Sequence, residues 1–209
     1  MTGSTQIVHV VDDDASFARA LARQLRAHGF EVQTFASATD FLAQVPRDTR
    51  GCVVLDLAMP VLDGLALQEA MARAGHCLPI VFLTGHGDIP STVRAMRGGA
   101  EDVITKLAPE EALLAAIRRA LARDEHQAEL RVRVRALHER FAGLTPREVQ
   151  VLHLVLQGRL NKQIAWELGI HERTVKLHRT SLTTKVGVSS VAELAQLAHE
   201  AGWHPDEAG

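Results

Sequence analysis

Residues 53–60 read Val-Val-Leu-Asp-Leu-Ala-Met-Pro, and this stretch decides the fold of the chain. Three apolar residues lead into one acid, Asp56, and turn residues follow soon afterwards. This order indicates a buried strand whose last side chain emerges at the edge of a sheet. A carboxylate in that position is costly to bury unless another group pairs with it. The stretch therefore predicts a polar site where this strand ends.

Three other apolar runs in the first half of the chain, at 7–11, 80–83 and 103–105, also end in polar side chains. These side chains are two acids, a hydroxyl and a lysine: Asp12 and Asp13, Thr84, and Lys106. Clustered carboxylates either raise their pKa values or bind a hard divalent cation. With all the strand ends at one edge, the set predicts a site for phosphoryl chemistry on Asp56.

Strand and helix patterns alternate through this half. Strands are predicted over 6–11, 31–35, 53–56, 79–83 and 102–106, with helices between them. Five strands separated by helices predict an α/β fold with a parallel sheet covered on both faces. From about residue 110 to 141 a helical pattern continues without a strong breaker. It predicts either a last helix followed by an exposed helical linker, or a linker helix that pairs with its copy in a dimer.

The second half predicts four short helices. The first begins with a capping box formed by Thr145 and Glu148. A tight turn at 169–171 separates the second helix from the third, which is typical of a helix-turn-helix unit. Four apolar residues are assigned here: Trp166 and Val186 to the core, and Leu194 and Leu197 to either the core or a dimer contact.

The bulk composition, with 46% hydrophobic and 23% charged residues, is that of an ordinary globular protein. No apolar run approaches the ~20 residues that span a bilayer, and no secretory signal pattern is present, so we expect a cytoplasmic protein without a membrane partner. Cys52 and Cys77 border predicted strands and are interpreted as buried thiols. Residues 158–187 carry six Lys and Arg side chains against two acidic ones, which favours a polyanion as the partner of that region.

The polar strand ends of the first half resemble the phosphorylation site of a two-component receiver domain. The flanking stretches 54–60 and 83–90 are similar to the FixJ-type branch of response regulators. This resemblance implies the flavodoxin-like strand order 2-1-3-4-5 and phosphoryl transfer to Asp56 from a sensor histidine kinase. It implies a Mg²⁺ cofactor held by three carboxylates and one backbone carbonyl: Asp12, Asp13, Asp56 and Ala58. Lys106 would pair with the phosphoryl oxygens, and Thr84 would donate a hydrogen bond to them.

The second half closely resembles the LuxR-type DNA-binding domain, through Asn-Lys-Gln-Ile-Ala at 161–165 and Thr-Val-Lys-Leu-His-Arg at 174–179. Its third helix is the expected reader of the major groove, and the start of its second helix is expected to contact phosphate. The candidate DNA-binding residues are Asn161, Lys162, Thr174, Val175, Lys176, His178 and Arg179. Val175 is expected either to pack inward or to touch a thymine methyl group.

Both resemblances together predict four segments: a receiver domain at 1–123, a helical linker at 124–141, a helix-turn-helix domain at 142–203 and a disordered tail at 204–209. They imply a regulator rather than an enzyme, in which phosphorylation switches homodimerisation and binding to promoter DNA. RNA polymerase is the further partner implied, and activation of transcription is the expected direction.

Some positions depart from the family pattern. Val103 stands where an aromatic residue is usual, Leu107 where proline is usual, and His171 where Ser or Thr usually caps the recognition helix. A cis bond costs roughly 2.5–4 kcal/mol when no proline follows, so we expect the Lys106–Leu107 bond to be trans. His86 is interpreted as a loop residue that affects the lifetime of the phosphoryl group.

Two alternative functions are weighed against this one. A phosphohydrolase of the haloacid-dehalogenase type also uses an aspartate at a strand end, but residues 12–14 do not fit its motif and the second half would have no role. A DNA-binding regulator whose receiver is a fixed dimerisation module is the other, because Val103 and Leu107 put the switching geometry in doubt.

Overall fold

The computed structural model describes residues 6–85 and 89–203, and the chain divides into two units after Ala128. The predictions for His86 and for the tail 204–209 lie outside the described residues. The predicted segment boundaries at 123, 141 and 203 remain predictions. Each unit is described by itself below.

Within the described residues, strands and helices alternate from β1 to α5, a helix that begins in the first unit and ends in the second. The bounds are β1 Ile7–Val11, α1 Ala15–Ala27, β2 Glu31–Phe35, α2 Ala38–Gln44, β3 Gly51–Asp56, α3 Gly64–Ala74, β4 Ile80–Thr84, α4 Ile89–Arg97, β5 Asp102–Thr105 and α5 Glu110–Ala142. All neighbouring strands are parallel, in the order β2-β1-β3-β4-β5. The predicted doubly wound fold and strand order are confirmed.

The sheet has an apolar core on each face because most side chains of its inner strands are apolar. On one face Phe41 of α2 and Leu67 of α3 pack against Leu55 and Phe82. On the other face α1 and α5 pack against the side chains that point the opposite way, such as Val54. Every residue of β3 is buried, including Asp56, which ends this strand.

The loops at the carboxyl ends of the strands are fixed by local hydrogen bonds. Asp14 caps α1 by accepting from the N–H groups of Ser16 and Phe17. Cys77 is exposed, so its assignment as a buried thiol is wrong, whereas Cys52 is buried as expected. Cys77 lies in the loop before β4 and not in the strand itself.

In the second unit, four helices follow the end of α5: α6 Pro146–Leu156, α7 Asn161–Leu168, α8 Glu172–Val186 and α9 Val191–Glu200. The predicted capping box of Thr145 and Glu148 is present at the start of α6. Gly169 adopts the left-handed conformation, with φ 64°, that the tight turn between α7 and α8 requires.

Apolar side chains of α6, α7, α8 and α9 form the core of the second unit together with Leu137 and Phe141 from the end of α5. Val186 and Leu194 are buried in it, and Leu197 is half-buried. Trp166 is 87% exposed, so its assignment to the core is wrong. The short helix α7 buries only Ile164 and Ala165 among its residues, all of which are described, and Trp166 lies on another side of the helix.

Candidate phosphorylation site and nucleic-acid interface

Asp12, Asp56 and Lys106 meet at the carboxyl edge of the sheet. Parallel pairing of β1 with β3 sets Val11 beside Leu55, so the acids that follow them are neighbours. The Lys106 ammonium donates to Asp12 Oδ2 at 2.7 Å and to Asp56 Oδ2 at 3.1 Å. A single cation therefore lies between two buried carboxylates that would otherwise repel each other.

Among the described residues, one cluster of three acids has the geometry of a metal site. Carboxylate oxygens of Asp12, Asp13 and Asp56 all lie within 4.8 Å of one another, with Asp13 exposed and the other two buried. Oxygen-only donor sets with room for solvent suit Mg²⁺, so the residues fit this ion. The backbone N–H of Ala58 donates to Asp56 Oδ1 at 3.4 Å, and the role of its carbonyl remains a prediction.

The electrostatics of the site follow from this arrangement. Burial raises the pKa of Asp56, and the hydrogen bond and charge of Lys106 oppose that rise. Burial alone would lower the pKa of Lys106, but its hydrogen bonds to Asp12 and Asp56 outweigh that effect and the pKa is raised. Lys106 is thus held as an ammonium ion beside the candidate phosphoacceptor.

Neighbouring elements complete the edge. Thr84 ends β4, is buried, and accepts the backbone N–H of Lys106 on its carbonyl at 2.8 Å. The ring of Phe17 lies 4.4 Å from the Lys106 ammonium, a cation–π contact that sequence reasoning missed because the two residues are far apart in the chain. No peptide bond among the described residues is cis, which confirms the trans bond at Lys106–Leu107.

Helix α8 carries most of the candidate DNA-binding residues, and the structure sorts them by exposure. Lys176 is exposed and pairs loosely with Glu172 at 3.8 Å, while Thr174 and His178 are half-buried. Val175 has no exposed surface and lies in the core of the second unit, so its assignment to DNA contact is corrected. Its helical position faces α6 and α7 rather than solvent.

Arg179 and Asn161 act as one group, because the guanidinium donates to the Asn161 side-chain oxygen at 2.7 Å. This contact joins the start of α7, where Lys162 is exposed, to the middle of α8. Leu177 is 64% exposed on α8, directly after Lys176, and sequence reasoning missed it. Leu177 could have been recognised from the sequence because it is apolar but lies outside the helical repeat of the core residues of α8.

A buried carboxylate fixes α8 to α6. Glu148 accepts hydrogen bonds from Ser181 at 2.6 Å and Lys185 at 2.7 Å, both on α8. The Lys185 hydrogen bond is the main reason that the pKa of Glu148 is lowered to about 2, with Ser181 and Thr145 contributing. The exposed face of α8 is thereby held in a defined orientation within its own unit.

Two family models match the chain, one in each half. Residues 8–118 match the response regulator receiver domain, and residues 142–198 match the bacterial regulatory proteins of the luxR family. The chain belongs to the two-component response regulators with a LuxR-type DNA-binding domain. A histidine kinase partner and DNA binding are properties of this family.

The similarity to other response regulators extends over nearly the whole chain. TodT of Pseudomonas putida is 43% identical over 94% of this chain and 87% of its own length. FixJ of Azorhizobium caulinodans is 40% identical over 95% of this chain and 94% of its own length. The similarity to these relatives therefore extends across both halves of this chain.

Solved structures of response regulators support the same family. The response regulator StyR is 45% identical, with a TM-score of 0.80, and the match covers 94% of this chain and 99% of StyR. Full-length FixJ from B. japonicum is 37% identical with a TM-score of 0.58, and the match covers 96% of this chain and 99% of FixJ.

In the part of the chain that the structure describes, no helix is long and apolar enough to cross a membrane.

Proposed function

We propose that Asp56 accepts a phosphoryl group from a sensor histidine kinase, and that this modification switches dimerisation and sequence-specific DNA binding. The observation that carries the proposal is the position of the Lys106 ammonium, within hydrogen-bonding distance of both Asp12 and Asp56. The Lys106 ammonium provides a positive charge for the phosphoryl oxygens beside Asp56, the side chain that would receive the phosphoryl group.

In the transfer step, an Asp56 carboxylate oxygen forms a bond to phosphorus while the bond from phosphorus to the kinase's histidine nitrogen breaks. The nitrogen keeps the electron pair, and the product is an acyl phosphate on Asp56. Lys106 then pairs with a phosphoryl oxygen, and the Thr84 hydroxyl donates to another. Mg²⁺, held by Asp12, Asp13, Asp56 and the Ala58 carbonyl, would offset charge on the transferring group.

The second unit would read promoter DNA with the exposed face of α8. In this proposal Lys176 and the Arg179–Asn161 pair would contact guanine edges or phosphates, Lys162 would contact the DNA backbone, and Thr174 and His178 would contribute beside them. One recognition helix buries too little surface for tight binding, so a homodimer on two half-sites about one turn apart is expected. The regulator would act in the cytoplasm, with RNA polymerase as partner, to activate transcription.

The test is incubation of the full-length protein with acetyl phosphate and Mg²⁺, followed by intact-mass measurement. Asp56→Asn is expected to abolish labelling, and Asp63→Asn, which changes an exposed helix cap outside the cluster, is expected to retain it. Labelling that persists in Asp56→Asn overturns the assignment. Turnover of small phosphoesters would instead favour a phosphohydrolase.

The departures at Val103 and Leu107 lead us to expect a weaker gain in dimerisation than an aromatic residue at position 103 would give. Val103 is half-buried against the core and has no ring to swing outward, and Leu107 is 90% exposed. Sedimentation of the full-length protein with and without beryllofluoride, beside Val103→Tyr and Leu107→Pro, tests this expectation. A dimer that forms equally in all conditions favours the alternative of a fixed dimerisation module.

A further inference from the structure

Helix α4 is thinly packed against the rest of the first unit. All of its residues, Ile89–Arg97, are described, and Ala95 is the only one of them that is buried. At the other end of the helix Ile89 is 79% exposed. The one buried residue of α4 thus lies close to its C-terminal end, while Ser91 and Thr92 near the other end are half-buried.

A buried side chain of α3 reinforces that point. The Gln68 side-chain amide donates from Nε2 to the Ala95 carbonyl at 3.1 Å, and both groups are buried. The same carbonyl accepts the N–H of Ala100 at 3.1 Å, the hydrogen bond that closes the C-terminal turn of α4. Gln68 therefore binds the same Ala95 carbonyl oxygen that forms the terminal hydrogen bond of α4.

The glycine at position 98 provides the space for this contact. A Cβ built on Gly98 would lie 2.5 Å from Gln68 Oε1 and 2.7 Å from its carboxamide carbon. Gly98 is not in the left-handed region, unlike Gly99 with φ 88°, so its backbone does not itself require glycine. An alanine at this position would require the Gln68 carboxamide to move.

The anchor is fixed relative to Asp56. Helix α3 begins at Gly64, and a Cβ on Gly64 would collide with the Asp56 backbone carbonyl, so α3 starts in close contact with the phosphoacceptor strand. At the opposite end, four residues separate Thr84 from the start of α4 at Ile89. The chain thus links the end of β4, which pairs with β3 at Asp56, to the N-terminal end of α4, whereas Gln68 contacts the C-terminal end.

We propose that Gln68 is a positioning residue that anchors the C-terminal end of α4, so that the helix pivots about Ala95 when Asp56 is phosphorylated. The pivot rests on the proposed function, whereas the anchor is a property of the unmodified protein. Val93 and Met96 are exposed on α4. The pivot would therefore move the apolar surface that they form, while the C-terminal end of α4 would change little.

Hydrogen–deuterium exchange of the full-length protein, read by mass spectrometry over residues 94–100, tests the anchor. Gln68→Met, which keeps the volume but removes the donor, and Gly98→Ala, which displaces the carboxamide, are each expected to speed exchange about fivefold. That factor corresponds to one net hydrogen bond of ~1 kcal/mol. Adding Gly98→Ala to Gln68→Ala is expected to change nothing further, because the side chain that the methyl group meets is gone.

Two matched variants control for nonspecific effects. Glu69→Met alters the exposed neighbour of Gln68 on α3, and Gly143→Ala adds a methyl group with only an ordinary contact at 3.9 Å from the Arg140 carbonyl. Both are expected to exchange like the wild type over residues 94–100. Wild-type exchange in Gln68→Met and Gly98→Ala, or equal acceleration in the controls, overturns the anchor.

The pivot is tested by repeating the exchange with beryllofluoride, which imitates the phosphoryl group. In the wild type, beryllofluoride is expected to change the exchange rate over residues 89–93 but not over 94–100. In Gln68→Met the change in exchange rate is expected to extend to residues 94–100. A wild-type change that already includes 94–100 overturns the pivot. An Asp56→Asn protein that responds to beryllofluoride like the wild type contradicts the proposed function instead. The exchange measured without beryllofluoride then still decides whether the anchor exists.

Discussion

At the scale of single residues, His9 is a titratable group in the middle of an apolar core. It lies in β1 with its ring 5.9 Å from those of both Phe35 and Phe41. Neither ring nitrogen has a hydrogen-bond partner among the described residues. Burial lowers the pKa of His9 from 6.5 to about 4, so the folded state holds the imidazole neutral at pH 7.

This group makes the first unit sensitive to acid. Because the folded pKa lies below the unfolded one, the stability associated with neutral His9 is present above pH 6.5 and is lost as the pH falls towards 4, by up to roughly 3 kcal/mol. Urea unfolding at pH 7 and pH 4.5 is expected to show a smaller loss for His9→Leu than for the wild type. An equal loss in both proteins, with exposed His126→Leu as control, would show that burial does not depress the pKa of His9 in the folded state.

Val175 is buried and Leu177 is exposed within one turn of α8, so we expect the first to stabilise the fold and the second to contact DNA. Leu177→Ala removes an exposed apolar group that can contact a thymine methyl, and is expected to weaken specific DNA binding by roughly 1 kcal/mol without lowering thermal stability. Val175→Ala opens a cavity in the core and is expected to cost the second unit roughly 1–3 kcal/mol of folding stability. Thermal melts and DNA titrations of both variants check this division. The reverse pattern would contradict the orientation of α8.

At the scale of elements, the start of α8 lacks a side-chain cap. His171 occupies the N-cap position with extended backbone angles, and among the described residues its side chain makes no capping hydrogen bond, whereas Ser190 caps α9 by accepting from Glu193. His171→Ser is expected to stabilise the second unit by about 0.5–2 kcal/mol, because its hydroxyl can accept from the first turn. Urea unfolding followed by tryptophan fluorescence measures it, since both tryptophans belong to this unit.

Ser190→Ala is the matched control, with a loss of similar size expected. If His171→Ser leaves the unfolding midpoint unchanged while Ser190→Ala lowers it, the first turn of α8 already satisfies its N–H groups in another way.

The elements that were predictable from sequence are those whose pattern is local. Strand β3 is buried on both faces, so its apolar run and terminal Asp56 identified it, and the end-of-strand positions of Thr84 and Lys106 followed from the same rule. The prediction for Trp166 was wrong because an eight-residue helix buries only one narrow stripe. The contact of Gln68 with Ala95 is set by how α3 and α4 pack, which no spacing along the chain records.

At the scale of the whole molecule, the end of α5 belongs to the second core. Phe141 stacks on Trp203 with ring centroids 5.5 Å apart, and His138 donates to the Ala201 carbonyl at 2.6 Å. Burial of Leu137 and Phe141 contributes about 1.5–3 kcal/mol each. A fragment of residues 129–203 is therefore expected to fold, and one of residues 142–203 to be markedly less stable. Equal melting temperatures would show that these α5 residues do not stabilise the second unit.

The proposed regulation requires that phosphorylation of Asp56 controls DNA binding by the other unit. The most direct measurement is the affinity of the full-length protein for duplexes selected from a random pool, with and without beryllofluoride, in the wild type and in Asp56→Asn. We expect beryllofluoride to tighten wild-type binding at least about fivefold, the lower end of typical coupling between sites, and to leave Asp56→Asn unchanged. Equal affinities in all four conditions would contradict phosphorylation control of DNA binding.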